Sequence, residues 1–334
     1  MTALSPIDHL KALSHEILEV SWTLYKIMIP TLIVIKVLEE LGGIELLSQL
    51  LAPLMTSLGL AEAMALVWAT SLLTNIYAGM LVFFIHSDGA MTVAQVSVIG
   101  GMMLIGHALP IEVRVAQQAG VRLGFSLLLR LLGSLAYGYF LYGAYSLTDS
   151  LQEPALLVWQ PTLAAQPTLL GWAFAQLQGL VAIFLVIVVL LAVLRLFKLI
   201  GIERLINILL APLLRLFGIS RQATSITLVG LTLGLSFGGG LLIREAASGR
   251  IKPMDVFAAL TLLGLSHSLI EDTVLILLMG ADLSAVLSLR LLFTLLVAWP
   301  LIYWARGRSA AFQQRYLVHT LGHEPSVAEV RPSG

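Results

Sequence analysis

The 334-residue sequence contains no cysteine, and only 11% of its residues are Asp, Glu, Lys or Arg. The missing thiol excludes disulfides, thiolate metal sites and cysteine nucleophiles. The shortage of charge excludes a water-soluble domain of ordinary composition, because 58% of the residues are hydrophobic and the mean hydropathy is +0.95. A bilayer has to serve as solvent. The zinc-protease motif HExxH is also missing, which weighs against an enzyme and leaves an intramembrane hydrolase only Ser and His near helix breaks to work with. No small-residue cleavage site follows the first apolar stretch, so residues 1–19 are expected to form a polar lead-in helix on the cytoplasmic side.

What is present is a duplication. LLAPLMTSLGL at 50–60 is answered by LLAPLLRLFGI at 209–219, and IGHALPIE at 105–112 by LSHSLIED at 265–272. Each half has the same order. The first predicts a span at 20–40, an interfacial helix at 43–58, a hairpin at 61–87, a broken span at 90–115 and a span at 121–144. The second predicts a span at 172–195, an interfacial helix at 202–218 with Pro212 matching Pro53, a hairpin at 220–248, a broken span at 253–281 and a span at 284–304. A crossing helix needs ~20 residues, so each hairpin is too short to cross twice. It either crosses once or turns back at TNIYAG (74–79) and SFGGG (236–240).

Charge placement separates these options, since Lys and Arg near span ends mark the cytoplasmic side. Both flanks of the second hairpin are basic, with Arg204, Arg215 and Arg221 before it and Arg244, Arg250 and Lys252 after it. The first hairpin is flanked by Glu39, Glu40, Glu45, Glu62 and Asp88, with Lys36 as the single base. Flanks of matching character imply re-entrant hairpins and three crossings per half, and an odd number inverts the second half relative to the first. The expected fold class is therefore an all-α integral membrane protein of two inverted repeats, each with three spanning helices (one broken), an interfacial helix and a re-entrant helical hairpin. The repeats occupy 20–144 and 172–304. The base-free linker 145–171 lies outside, and the tail 305–334, with Arg306 and Arg308, lies in the cytoplasm. Both termini are expected inside, in a cell (inner) membrane.

Non-helical backbone at membrane depth survives only when buried in protein or lining a wet cavity, so matching interruptions point at a site. Ionisable groups there are costly and default to function. His107 and Glu112 correspond to His267 and Asp272, with Glu271 as an extra carboxylate. His267 and Glu271 are spaced to share one helix face, whereas His107 and Glu112 meet only if the break at Pro110 bends back. Two chemistries fit: a divalent cation held by His107, His267 and Glu271, or a coupling proton carried by imidazole. A His–carboxylate pair that only caps broken ends is the bland alternative. At the tips, Asn75 and Ser236 are candidate donors, or simply satisfy hairpin amides. Gly239 and its neighbours allow close backbone approach. For Arg130 and Arg290, deep in the final spans, the choice lies between an anion contact and snorkelling or a buried acid partner.

The HSLIEDT run at 267–273 and the SFGGG tip carry a resemblance that extends over about 20–305. The chain resembles the nucleoside-recognition (Gate) domain membrane proteins, which include spore maturation proteins A and B and are related to concentrative nucleoside transporters and the membrane part of ferrous-iron transport protein B. That resemblance implies transport of a small solute or ion through a midplane site built from two hairpin tips and two broken helices. Its tips depart from the Gln, Glu and Ser-rich tips of nucleoside transporters, and the cysteines and G domain of the iron transporter have no counterpart, so the resemblance leaves the substrate open. Lipid, a small solute or ion and a homo-oligomeric partner are expected, without a nucleic acid polymer. A non-transporting membrane scaffold or assembly factor is the alternative.

Overall fold

The computed structural model describes residues 14–319, less 16, 19–20, 23–24, 27–28, 31, 35, 38–39, 88–90, 158–167 and 235–241. Most of the lead-in, the middle of the linker, the end of the tail and the SFGGG tip with Ser236 and Gly239 thus lie outside the described residues. What is described is all-helical, with two isolated β-bridges and no strand.

The described positions between 14 and 40 form α1. The first half continues with α2 (Gly43–Ser57), α3 (Met64–Leu73), α4 (Ile76–His86), α5 (Val93–Gly106), α6 (Leu109–Gln118) and α7 (Leu123–Thr148). The second half brings α8 (Leu169–Leu199), α9 (Ile202–Leu216), α10 (Arg221–Leu233), α11 (242–247), α12 (Pro253–Ser266) and α13 (Glu271–Leu278). It ends with α14 (Leu289–Arg306), which a π-turn at Ser284–Ser288 introduces, and the short α15 (Ala310–Phe312). Among the described residues, five stretches are long and apolar enough to cross a bilayer: Val93–Gln118, Leu123–Thr148, Leu169–Val193, Pro253–Leu278 and Ser284–Arg306. Helices α2 and α9 run through Pro53 and Pro212 without ending.

Local chemistry explains where the helices start. Thr92 and Gln95 form a reciprocal capping box ahead of α5, with bonds of 3.2 and 3.0 Å. Pro253 opens α12, where its missing N–H costs nothing. In TNIYAG, the Thr74 hydroxyl donates back to the Thr70 carbonyl at 2.6 Å, and the Asn75 Oδ1 accepts the Ala78 N–H at 2.9 Å. One helix is closed and the next capped within two residues. The pair then folds back on itself, for a Cβ on Gly79 would lie 2.7 Å from the Cβ of Ser71.

The two interrupted spans differ in environment from the rest. Their most apolar windows are 89% and 83% buried in protein, against 33%, 19% and 39% for the three continuous ones. The continuous spans show apolar stripes at helical spacing, such as Leu177, Val181, Leu185 and Val189 on α8, that are exposed and suited to lipid. Interrupted backbone is thus kept inside protein, as hydrocarbon demands.

The contacts divide the chain into two compact units, each drawn from both halves of the sequence. One takes the described residues up to Pro110 with Leu131–Leu205 and Ile270–Leu291; the other takes Ile111–Arg130, Ile206–Leu269 and Leu292 onward. Each helix break, at 110/111 and 269/270, is a point where the chain leaves one unit for the other.

Candidate functional site at the helix breaks

Both breaks are made the same way at positions 160 residues apart. Helix α5 ends at Gly106 and α12 at Ser266, each followed by a histidine in extended conformation, His107 or His267. The next residue is left-handed in both cases, Ala108 at φ 50° and Ser268 at φ 52°. A non-glycine residue in that region costs about 1–2 kcal/mol, so surrounding contacts must hold it. The hairpins supply them: the Ala108 N–H donates to the Ser71 carbonyl of α3 at 3.0 Å, and the Ser268 and Leu269 N–H groups donate to the Gly230 and Leu231 carbonyls of α10 at 3.4 and 2.7 Å. The Ala108, Ser268 and Leu269 amides freed by the breaks are thereby paired.

In the first unit, His107 Nδ1 faces the Met103 carbonyl of its own last turn at 2.9 Å, and its Nε2 lies 3.6 Å from Asp272 Oδ2. Arg290, fully buried, donates to the Leu104 carbonyl at 3.2 Å. Glu271 accepts the Tyr77 hydroxyl at 2.8 Å. Helix α5 therefore ends on a histidine and a guanidinium, which satisfy orphan carbonyls and complement the negative end of its dipole.

The second unit repeats the device with tighter pairing. His267 Nδ1 faces the Leu263 carbonyl at 2.9 Å, and Arg130 donates to the Gly264 carbonyl at 3.4 Å. His267 Nε2 lies 3.0 Å from Glu112 Oε1, while Arg130 grips the other oxygen of Glu112 in a short ion pair. All three side chains are buried. A carbonyl can only accept, so Nδ1 of His267 carries a hydrogen. At 3.0 Å, Nε2 and the Glu112 carboxylate hydrogen-bond when one of them carries a proton. Beside the pair, Glu112, Ala116, Ser126, Arg130, Leu260 and Gly264 line a recess of about 10 Å³, room for one water.

The backbone at the second break corrects one expectation. His267 and Glu271 do not share a helix face, because the left-handed Ser268 falls between the end of α12 and the start of α13 and breaks the i, i+4 phase. Each histidine pairs with a carboxylate of the other half's motif, His107 with Asp272 and His267 with Glu112. For Arg130, the buried-acid reading is the one observed. Residues that motif reading passed over as site members are Tyr77, Arg130 and Arg290. Their signal was the 160-residue spacing of the two arginines in apolar spans and the position of Tyr77 inside TNIYAG. The stretch GLSFG (234–238) has the G-x-S-x-G spacing of a hydrolase nucleophile elbow, but that motif needs a strand-to-helix turn, and Gly234 here follows helix α10.

No protein-family model matches the chain, and no solved structure matches it. The chain is 23% identical over 302 residues to the "uncharacterized membrane protein YvoD" of Bacillus subtilis (strain 168), a similarity that covers 88% of this chain and 94% of that protein. Together with five apolar helices of crossing length, it identifies a multi-pass membrane protein.

Proposed function

We propose that the protein is a membrane transporter, a non-enzymatic permease of the nucleoside-recognition (Gate) kind, that moves a small solute or ion past its two broken helices. The observation that carries this reading is the pair of breaks: identical local backbone 160 residues apart, buried in protein, each with a histidine against a carboxylate. Discontinuous helices in corresponding positions of two halves are the hallmark of secondary-transporter binding sites. Support for inverted repeats comes from the hairpin. Helices α3 and α4, at 10 and 11 residues, rise about 15 and 16 Å, half of a hydrocarbon core about 30 Å thick. A hairpin of that length re-enters and returns, leaving three crossings per half and opposed orientations, with both termini cytoplasmic. For the coupling ion, the Arg130 guanidinium on Glu112 repels a divalent cation, which favours a proton carried between His267 and Glu112.

Reconstitution tests the reading. The full chain in liposomes is assayed for flux of nucleosides, bases, organic anions, amines and divalent metals, beside Glu112→Gln. We expect one class to enter well above empty liposomes and to lose at least tenfold of its rate in the variant (about 1.4 kcal/mol), with folded protein still in the membrane. A scaffold is the second reading, favoured by the mutual pairing of His267, Glu112 and Arg130. No flux of any solute, with Glu112→Gln merely unfolding, would establish it.

A further inference from the structure

The duplication is broken at two chemically important places. Tyr77 has Ser236 and Phe237 as its counterparts 159 and 160 residues later, and Glu271 has Ile111 as its counterpart 160 residues earlier. In the first unit these two departures from symmetry meet, the Tyr77 phenol donating to Glu271 Oε1 at 2.8 Å. Neither half of the contact has an equivalent in the other repeat.

Charge isolates Glu271 from the other carboxylates near the breaks. Glu112 is matched by Arg130 and His267, and Asp272 by His107. Among the described residues Glu271 has no basic partner within ion-pair distance; its one bonded neighbour is the neutral Tyr77. The first turn of α13 offers a helix-dipole end worth at most about half a charge, which does not replace a cation. Tyr77 holds Oε1 and leaves Oε2 open. Asp272 and His107 are buried, whereas Glu271 is partly exposed.

A second observation lies two residues from Tyr77. The Asn75 side chain is 9% exposed, its oxygen is committed to the Ala78 N–H, and its Nδ2 has no hydrogen-bond partner among the described residues. A buried amide left unpaired is destabilising, which an acceptor atom on a ligand would relieve.

We propose that Glu271, Tyr77 and Asn75 form a subsite for a monovalent cation, either the ammonium group of an organic solute or an alkali ion. The positive charge sits on Glu271, Tyr77 orients the carboxylate, and Asn75 donates to an acceptor beside the charge when the ligand is organic. The subsite deepens the transport reading above by naming the charge of what is carried or co-carried, and its test is one of binding.

Purified full-length protein is titrated with sodium chloride, ethanolamine hydrochloride or spermidine hydrochloride at constant ionic strength and neutral pH, reading the melting temperature. We expect a saturable rise in at least one arm, an apparent Kd at least about tenfold weaker in Glu271→Gln, a several-fold weakening in Tyr77→Phe, and no change in the surface variant Glu245→Gln. A rise with sodium alone assigns an alkali co-ion, and a rise with an amine alone assigns an organic cation. No rise in any arm, or a rise that survives in Glu271→Gln, overturns the proposal. So does stabilisation by acid alone that Glu271→Gln abolishes, because the carboxyl group then holds only its own proton. Where Glu271→Gln fails to fold, unweakened binding in Tyr77→Phe has the same force. Binding without flux keeps the subsite and removes transport, whereas flux indifferent to Glu271→Gln removes the subsite and keeps transport.

Discussion

A carboxylate at membrane depth is tolerable only in company, and Glu112 shows what that company does. Its two oxygens are divided between a histidine and a guanidinium, and those two groups in turn close the carbonyls of the last turn of α12. Removing one member of such a buried set leaves the others charged and unpaired. Glu112→Gln is therefore expected to cost about 3–5 kcal/mol of stability, and adding Arg130→Met to it should recover a large part. Denaturant unfolding in detergent checks both values, with the exposed Arg250–Glu245 pair as a control worth under about 1 kcal/mol. Which ionisable residues stand at the breaks was legible, for His, Glu and Asp in apolar spans are conspicuous. Who meets whom was not, because one left-handed residue at 108 or 268 redirects everything after it.

At the scale of elements, the first hairpin depends on two short devices: the Thr74–Asn75 turn and the close approach at Gly79. Because a Cβ on Gly79 would fall 2.7 Å from the Cβ of Ser71 on the antiparallel helix, Gly79→Val must push α3 and α4 apart. We expect a loss of about 1–3 kcal/mol, read as a lower melting temperature and as faster proteolysis between 74 and 79. Gly143, with nothing within 4 Å of a built Cβ, should accept alanine with little change. The turn of the first hairpin was readable at TNIYAG, whereas the helix starts set by the Thr92 capping box and Pro253 came from the structure. What held the breaks was not, since carbonyls of Ser71 and Gly230 carry no signature in a sequence.

For the whole molecule, the proposed inversion makes a prediction about sides that the cysteine-free chain is well suited to test. Single substitutions Glu62→Cys and Asp149→Cys should react with a membrane-impermeant maleimide in intact cells, whereas Arg250→Cys and Arg308→Cys should react only after permeabilisation. All four positions are exposed. Labelling of residues 62 and 250 from the same side would contradict the inverted arrangement and the re-entrant hairpins with it. The reasoning rests on the bias of Lys and Arg toward cytoplasmic loops: these residues are frequent at 195–252 and absent at 39–88.

Hydropathy, charge and self-similarity are local or periodic properties, so the sequence alone determined that this is a multi-pass helical membrane protein built from a duplicated order of elements, with breaks at two histidine motifs. Tertiary structure alone decided the pairing: His107 with Asp272, His267 with Glu112 and Arg130, and Tyr77 with Glu271. The reason is physical. Partners in these pairs stand between 18 and 194 residues apart, and a backbone turn of a single residue sets which distant side chain each one faces. The compact units themselves cross the halves of the duplication, because each broken helix gives its two pieces to different units.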